Sequence, residues 1–144
     1  MKNILVIDDA EDIRGLLTTM LQADGYSVAT AEGGVEALAH LDSGDRVDLV
    51  VLDVQMPDLD GWATLQRIRK SPSSAQLPVV LCTVKHHSSD LARAWALGAD
   101  GYITKPFQIA DLLAEIGYVL NRTPEQRAVL LEHRRSRVTE LAGP

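Results

Sequence analysis

Residues 47–61 read VDLVVLDVQMPDLDG, an apolar run that ends in the carboxylate of Asp53 and then breaks at Pro57 and Gly61. A short continuous apolar run bounded by turn residues is typical of a strand that is covered on both faces. A carboxylate that ends such a strand lies at the mouth of a sheet. The segment therefore predicts a buried strand that brings Asp53 to one edge of the sheet.

The N-terminus repeats this arrangement, because the apolar run Ile4–Ile7 leads directly into Asp8 and Asp9. Alone, such a pair is also typical of a helix N-cap, where aspartate is favoured. Together with Asp53 it places three carboxylates at neighbouring strand ends, where they repel one another unless a cation lies between them. The three acids predict a Mg²⁺ site and chemistry on phosphate.

Short apolar runs and amphipathic stretches alternate along the chain. Helical spacing of apolar residues in the stretches between the runs predicts one helix after each strand. Five β–α units in about 120 residues indicate a parallel sheet with helices on both faces. The five predicted strands are Asn3–Ile7, Ser27–Ala31, Asp48–Leu52, Pro78–Cys82 and Gly101–Ile103.

Polar residues follow four of these strands at their carboxyl ends, where open parallel sheets bind ligands. Thr83 follows the fourth strand and Lys105 follows the fifth. With Asp8, Asp9 and Asp53 they make five polar groups aimed at one crevice. This convergence is more specific than any single motif, and it predicts one functional site.

These residues match a known family over residues 1–120. The chain resembles the receiver domain of two-component response regulators, of the chemotaxis-regulator type, in the Asp8-Asp9 pair, in Asp53 within DVQMPDLDG, in Thr83 and in Lys105-Pro106-Phe107. The resemblance implies a flavodoxin-like, doubly wound α/β fold: a five-stranded parallel sheet in the order 2-1-3-4-5 with five helices. Residues 121–144 are predicted to form an extra C-terminal helix outside the receiver.

The resemblance also implies a reaction. Asp53 would accept a phosphoryl group from a histidine kinase or a phosphotransfer protein. Mg²⁺ would be held by Asp8, Asp9, Asp53 and the backbone carbonyl of Gln55. Lys105 would pair with Asp53 at rest and with the phosphoryl oxygens afterwards, and a cis Lys105–Pro106 peptide would fix how it enters the site.

A switch follows from the same resemblance. The Thr83 hydroxyl would donate to a phosphoryl oxygen, and the space it leaves would admit Tyr102. The movement would change a surface on the fourth helix, fifth strand and fifth helix that a downstream protein recognises. Such a domain catalyses only its own phosphorylation and dephosphorylation, so we expect no enzyme activity on another substrate.

The chain departs from the family pattern at Val84, where the family usually has a small residue. A branched side chain there would narrow access to the phosphoryl group and slow the entry of donor or water. Gln55 and Lys85, each two positions past a site residue, would flank the attacking water and tune the lifetime of the phosphoryl group.

Three other function classes are open to such a sequence. A haloacid-dehalogenase-type aspartyl-phosphate phosphatase would need a second acid two residues after Asp8, where this chain has Ala10. A flavodoxin-like cofactor binder would need a Ser/Thr/Gly-rich phosphate cradle in the first turn, which is absent from the sequence. A receiver-like scaffold that acts without phosphorylation would not need all five site residues.

The tail begins with a helix signature: Thr123 as N-cap, Pro124 at the first position and Gln126 completing a capping box. Three interpretations stay open for it: a solvated helix, a dimerisation or docking helix, or a linker to an output domain. One face of this helix would carry the apolar residues Ala128, Leu131, Val138 and Leu141. Another face would carry a basic patch formed by Arg134, Arg135 and Arg137.

Composition indicates which partners and which cellular compartment to expect for the protein. Its 144 residues carry a net charge of −6, and residues 1–120 hold 9 basic and 17 acidic side chains, so we expect no direct nucleic-acid binding by the receiver. The single cysteine, Cys82, lies in an apolar run and predicts a buried thiol without a disulfide. No run approaches the ~20 apolar residues that span a bilayer, so we expect a cytoplasmic protein without membrane contact. The sequence leaves open whether the chain forms a homodimer.

Overall fold

The computed structural model describes residues 1–84 and 87–142, which form five strands and six helices. Each strand is followed by a helix, as the alternation of apolar runs predicts. A further helix follows the fifth. In chain order the elements are β1 Asn3–Ile7, α1 Glu11–Ala23, β2 Ser27–Ala31, α2 Gly34–Asp42, β3 Leu49–Asp53, α3 Gly61–Lys70, β4 Val79–Thr83, α4 Ser88–Ala96, β5 Gly101–Thr104, α5 Ile109–Asn121 and α6 Pro124–Ala142.

The strands form one parallel sheet in the order β2-β1-β3-β4-β5. From β1 the chain crosses to β2 on one side and then returns to β3 on the other, so the winding direction reverses between β1 and β3. The carboxyl ends of β1 and β3 therefore flank the point at which ligands bind in open α/β sheets. The flavodoxin-like fold and strand order implied by the resemblance are confirmed.

Two apolar layers cover the two faces of the sheet, because successive residues of a strand point to opposite sides. In β1, Leu5 and Ile7 pack into the layer with α2, α3 and α4, whereas Ile4 and Val6 pack into the layer with α1 and α5. Every residue of β3 and β4 is buried. The continuous apolar runs of the sequence are thus explained by burial on both faces.

Three strands end one residue later than predicted, and two of them, β3 and β4, also begin one residue later. Asp53 is the last residue of β3 and lies opposite Cys82 in the ladder, while Thr83 ends β4 opposite Thr104 of β5. Asp53 and Thr83 are therefore held by the sheet itself, whereas Asp8, Asp9 and Lys105 lie in the loops that follow β1 and β5. Ladder hydrogen bonding overrides the change from apolar to polar side chains.

The apolar residues of α1 cover more of the helix than the face that it buries. Leu17 and Leu21 are buried, but Leu16 is 52% exposed and Met20 is 37% exposed. Within the described part of the chain, no helix combines the length and the hydropathy needed to cross a bilayer.

Candidate functional site

Three carboxylates meet at the carboxyl ends of β1 and β3. Asp8 and Asp9 directly follow β1, Asp53 ends β3, and one oxygen of each lies within 4.8 Å of the others. Asp8 and Asp53 are buried, whereas Asp9 is exposed. Carboxylate oxygens are the ligands that Mg²⁺ prefers, and a site open on one side leaves room for the waters that the ion retains. The donor set fits Mg²⁺.

Lys105 reaches this cluster from the loop between β5 and α5. Its ammonium Nζ lies 3.1 Å from Asp8 Oδ2 and 3.4 Å from Asp53 Oδ1. The backbone N–H of Lys105 donates to the carbonyl of Thr83, at 2.7 Å, and the Lys105–Pro106 peptide is cis. The lysine is thus anchored to the end of β4 while its charge lies between two carboxylates.

The charges of the site are out of balance. Burial raises the pKa of Asp53, and Lys105 opposes that rise while Asp8 adds to it. Burial by itself would lower the pKa of Lys105, but the carboxylates of Asp53 and Asp8 outweigh it, so its pKa is raised. One ammonium therefore faces three acids, which leaves a net negative site suited to a divalent cation.

The loop after β3 holds the Asp53 carboxylate. The backbone N–H of Gln55 donates to Asp53 Oδ1 at 3.2 Å. A Cβ on Gly61, which begins α3, would lie 2.4 Å from the carbonyl oxygen of Asp53, so only glycine fits there. Asp60 caps α3 by accepting a hydrogen bond from the N–H of Ala63.

The turn after β1 holds Asp8 in a similar way. Asp8 Oδ1 accepts a hydrogen bond from the N–H of Ala10 at 2.8 Å, and Arg14 donates to the carbonyl of Asp8. The N-cap of α1 is Ala10, with no side-chain capping bond. Helix capping therefore does not explain the Asp8-Asp9 pair.

The two residues predicted to act as a switch lie on adjacent strands. Thr83 is fully buried at the end of β4, close to the anchored Lys105 backbone. Tyr102 of β5 is half-buried, and its ring meets that of Trp95 edge-on, with centroids 6.4 Å apart. Val84 is 47% exposed beside the site, and Lys85 lies outside the described residues.

Cys82 is the buried thiol that the sequence predicts. Its side chain is 2% exposed. Burial raises the pKa of Cys82 to about 12. A thiol in this state is a packing residue rather than a nucleophile at neutral pH.

Asp100, just before β5, is a residue that sequence reasoning misses. It is fully buried, and its carboxylate pairs with Arg69 of α3 and Arg127 of α6. The backbone N–H of Val79 also donates to it, at 3.0 Å. Its only sequence signal is an acid next to a strand of an otherwise buried sheet. The two arginines that pair with its carboxylate lie 27 and 31 positions away in the chain.

The start of α6 confirms the capping box. The N–H of Thr123 donates to Gln126 Oε1, and the N–H of Gln126 donates to Thr123 Oγ1. The predicted basic patch is wrong for Arg134, whose guanidinium lies 3.8 Å from the Trp95 ring centroid and donates to the carbonyl of Asp100. The side chains of Val138 and Leu141, predicted for the apolar face, lie outside the description.

The chain is similar in sequence to proteins of one family. Residues 4–117 match the family model described as the response regulator receiver domain. Regulatory protein VanRc of Enterococcus gallinarum is 40% identical over 121 residues, which are 84% of this chain and 51% of VanRc. Response regulator MprA of Mycobacterium bovis is 40% identical over 137 residues, covering 94% of this chain and 58% of MprA. The chain thus spans about half the length of the curated relatives it matches.

Solved structures give the same result for the fold. The chemotaxis protein CheY4 of Vibrio cholerae superposes with a TM-score of 0.79 at 32% identity, covering 83% of this chain and 99% of CheY4. The response regulator protein TrrA of Thermotoga maritima, solved in complex with Mg(2+)-BeF, gives a TM-score of 0.73 at 41% identity, covering 83% of this chain and all of TrrA.

Proposed function

The chain belongs to the response regulator receiver domain family, and from this premise we propose that Asp53 is its phosphoacceptor. A receiver domain of a two-component response regulator is a phosphorylation-controlled signalling domain. One observation carries the assignment to Asp53: its buried carboxylate lies beside those of Asp8 and Asp9 and 3.4 Å from the ammonium of Lys105.

The phosphodonor is a phosphohistidine of a histidine kinase or a phosphotransfer protein. An Asp53 carboxylate oxygen attacks phosphorus, a P–O bond forms, and the P–N bond breaks with its electron pair passing to the imidazole nitrogen. Lys105, paired with Asp53 beforehand, moves its charge to the phosphoryl oxygens, and the Thr83 hydroxyl donates to one of them. Attack by water on phosphorus later releases phosphate and restores the carboxylate, so the chemistry is confined to the protein's own phosphoryl group.

Asp8, Asp9, Asp53 and the backbone carbonyl of Gln55 are the groups that would hold Mg²⁺. When bound, the ion would neutralise charge between the carboxylate and the anionic phosphoryl group. Lys105 supplies a single positive charge against three acids. That shortfall supports a requirement for the divalent cation.

The output is a change in protein contacts. Phosphorylation draws Thr83 inward, Tyr102 moves into the vacated space, and the surface formed by α4, β5 and α5 changes for a downstream protein. Residues 1–120 act as the receiver and residues 121–144 as an extension. We place this function in the cytoplasm, without direct nucleic-acid or membrane binding by the receiver, and we include a homodimer among the states of the protein.

Incubation with acetyl phosphate and Mg²⁺, read by intact mass, tests the proposal. The wild-type protein should gain one phosphoryl group, and the gain should disappear when a chelator removes Mg²⁺. Asp53→Asn should show no gain, because an amide is not nucleophilic at its oxygen under these conditions. Lys105→Met should be phosphorylated about a hundredfold more slowly, the lower end for loss of one electrostatic contact in a reacting site.

Asp58→Asn is the matched control. Asp58 is exposed in the same loop with a φ of 64°, which asparagine also adopts readily. It should be phosphorylated like the wild type. A gain that persists in Asp53→Asn would move the acceptor elsewhere, and no gain in the wild type with either acetyl phosphate or a kinase would favour a scaffold that works without phosphorylation.

A further inference from the structure

Helix α6 is attached to the receiver through arginines that converge on Asp100. Arg127 pairs with both carboxylate oxygens of Asp100, and Arg134 donates to its carbonyl at 2.8 Å. Arg122, just before the helix, donates to the same carbonyl at 3.0 Å. Three successive arginines of the tail thus bind one buried residue at the start of β5.

Asp100 does not depend on α6 for all its partners. Its Oδ2 also accepts hydrogen bonds from Arg69 and from the N–H of Val79, each at 3.0 Å. If α6 moved away, the carboxylate would keep one guanidinium and one backbone donor. A buried charge that stays paired avoids most of the cost of losing a partner. The attachment of α6 is therefore built so that it can be reversed.

A second contact links α6 to the proposed switch. The Arg134 guanidinium stacks over the Trp95 ring of α4, and the Tyr102 ring meets Trp95 edge-on at an interplanar angle of 66°. Tyr102 lies two residues before Thr104, which pairs with Thr83. Ring and guanidinium contacts thus connect Tyr102 to the tail helix, and the ladder between β4 and β5 connects the strand of Tyr102 to Thr83.

We propose that α6 is an intramolecular occupant of the face formed by Trp95, Asp100 and Tyr102, and that phosphorylation of Asp53 loosens its docking. The proposal rests on the function proposed above for Asp53, Thr83 and Tyr102. In this proposal, the chain's own tail occupies the surface that phosphorylation changes, before any other protein binds there.

The direction of the coupling follows from the ring contacts. Inward movement of Tyr102 separates its ring from that of Trp95, so the indole loses one of the neighbours that hold it beneath Arg134. The guanidinium–indole contact then weakens, and Asp100 retains α6 only through Arg127 and the backbone contacts. Because coupling between sites is reciprocal, weaker docking of α6 must also favour the phosphorylated conformation.

Hydrogen exchange on the full chain tests the proposal. Amides of residues 127–137 should exchange at least about fivefold faster in acetyl phosphate and Mg²⁺ than in Mg²⁺ alone, the lower end of typical coupling between sites. Intact mass of the same sample reports the phosphorylated fraction. A phosphorylated protein with unchanged or slower exchange in α6 overturns this inference alone, whereas no mass gain overturns the proposed function together with it.

The Arg134→Met variant tests the same coupling in the opposite direction, from α6 docking to the phosphorylation site. The variant should bind beryllofluoride, a stable phosphoryl analogue, at least about fivefold more tightly in Mg²⁺, as followed by the amide NMR signal of Thr83. Arg137→Met, an exposed arginine three residues further along α6, is the matched control and should bind like the wild type. Equal affinity of Arg134→Met and wild type would refute the coupling, as would an equal gain in both variants.

Discussion

Gly61 shows how one missing side chain helps to determine the position of the Asp53 carboxylate. It begins α3 directly against the backbone of Asp53 and Val54, and an added Cβ would lie 2.4 Å and 2.5 Å from atoms of those residues. Backbone atoms of a strand buried in the sheet cannot move aside as the end of a flexible side chain can. The close approach of loop and strand is therefore part of what fixes the Asp53 carboxylate.

Gly61→Ala should lower the free energy of unfolding by about 2 kcal/mol, the size typical of overpacking at a tight site. It should also slow phosphorylation by acetyl phosphate, because the strand end that carries Asp53 has to shift. Urea unfolding and intact mass measure the two effects.

Gly15→Ala is the matched control, since a Cβ at Gly15 in α1 meets no atom within 4 Å. This substitution should stabilise the protein by up to about 1 kcal/mol through helix propensity. Equal stabilities of the two variants would mean that the loop after β3 adapts to a side chain at no cost.

Single residues also mark the limit of sequence reasoning. Asp8, Asp9, Asp53 and Lys105 are predictable because each follows an apolar run, and parallel strands bring their carboxyl ends to one edge. Asp100 precedes a strand instead, so the same rule says nothing of it. Its importance arises from arginines of α3 and α6 that only the tertiary fold brings near.

At the scale of elements, the apolar pattern predicts which strands and helices form, and in which order, better than it predicts what each element does. All five strands are predicted, and their ends differ because Asp53, Thr83 and Thr104 stay in the ladder despite polar side chains. The capping box of α6 is local and was predictable from Thr123 and Gln126. The docking of α6 was not, because helical periodicity cannot distinguish an arginine in solvent from one stacked on a tryptophan.

Asp100 joins four elements, and its removal tests that junction. Its carboxylate and backbone contact α3, β4 and α6 from the start of β5. Asp100→Asn should lower the free energy of unfolding by about 3 kcal/mol, because the largely buried guanidinium of Arg69 loses its compensating charge. Burial already lowers the pKa of Arg69, which shows that its charge is poorly solvated.

Urea unfolding of Asp100→Asn measures this cost. Asp24→Asn, at the exposed end of α1, is its control and should change stability by no more than about 0.5 kcal/mol. A loss below about 1 kcal/mol for Asp100→Asn would indicate that α6 and α3 are held by packing rather than by this ion pair.

For the whole molecule, the doubly wound topology separates stability from signalling. The two apolar layers that flank the sheet are built from elements up to α5, whose innermost residues include Leu112 and Ile116. The proposed phosphorylation site uses strand ends of the same unit. Helix α6 adds contacts around Asp100 and Trp95 but contributes no residue to either layer among the described side chains.

A chain that stops after Thr123 should therefore fold and react with acetyl phosphate at the wild-type rate or faster. It keeps the Arg122 contact to the Asp100 carbonyl but loses Arg127 and Arg134, so its free energy of unfolding should fall by about 2 kcal/mol, within the usual range for lost buried contacts. Circular dichroism during urea unfolding and intact mass after phosphorylation give the two readouts.

If the shortened chain failed to fold, residues 121–144 would belong to the receiver's own core, and the division at residue 120 would be wrong. If it folded but reacted more slowly than the full chain, α6 would support the reactive conformation, which is the opposite of an occupant that phosphorylation loosens.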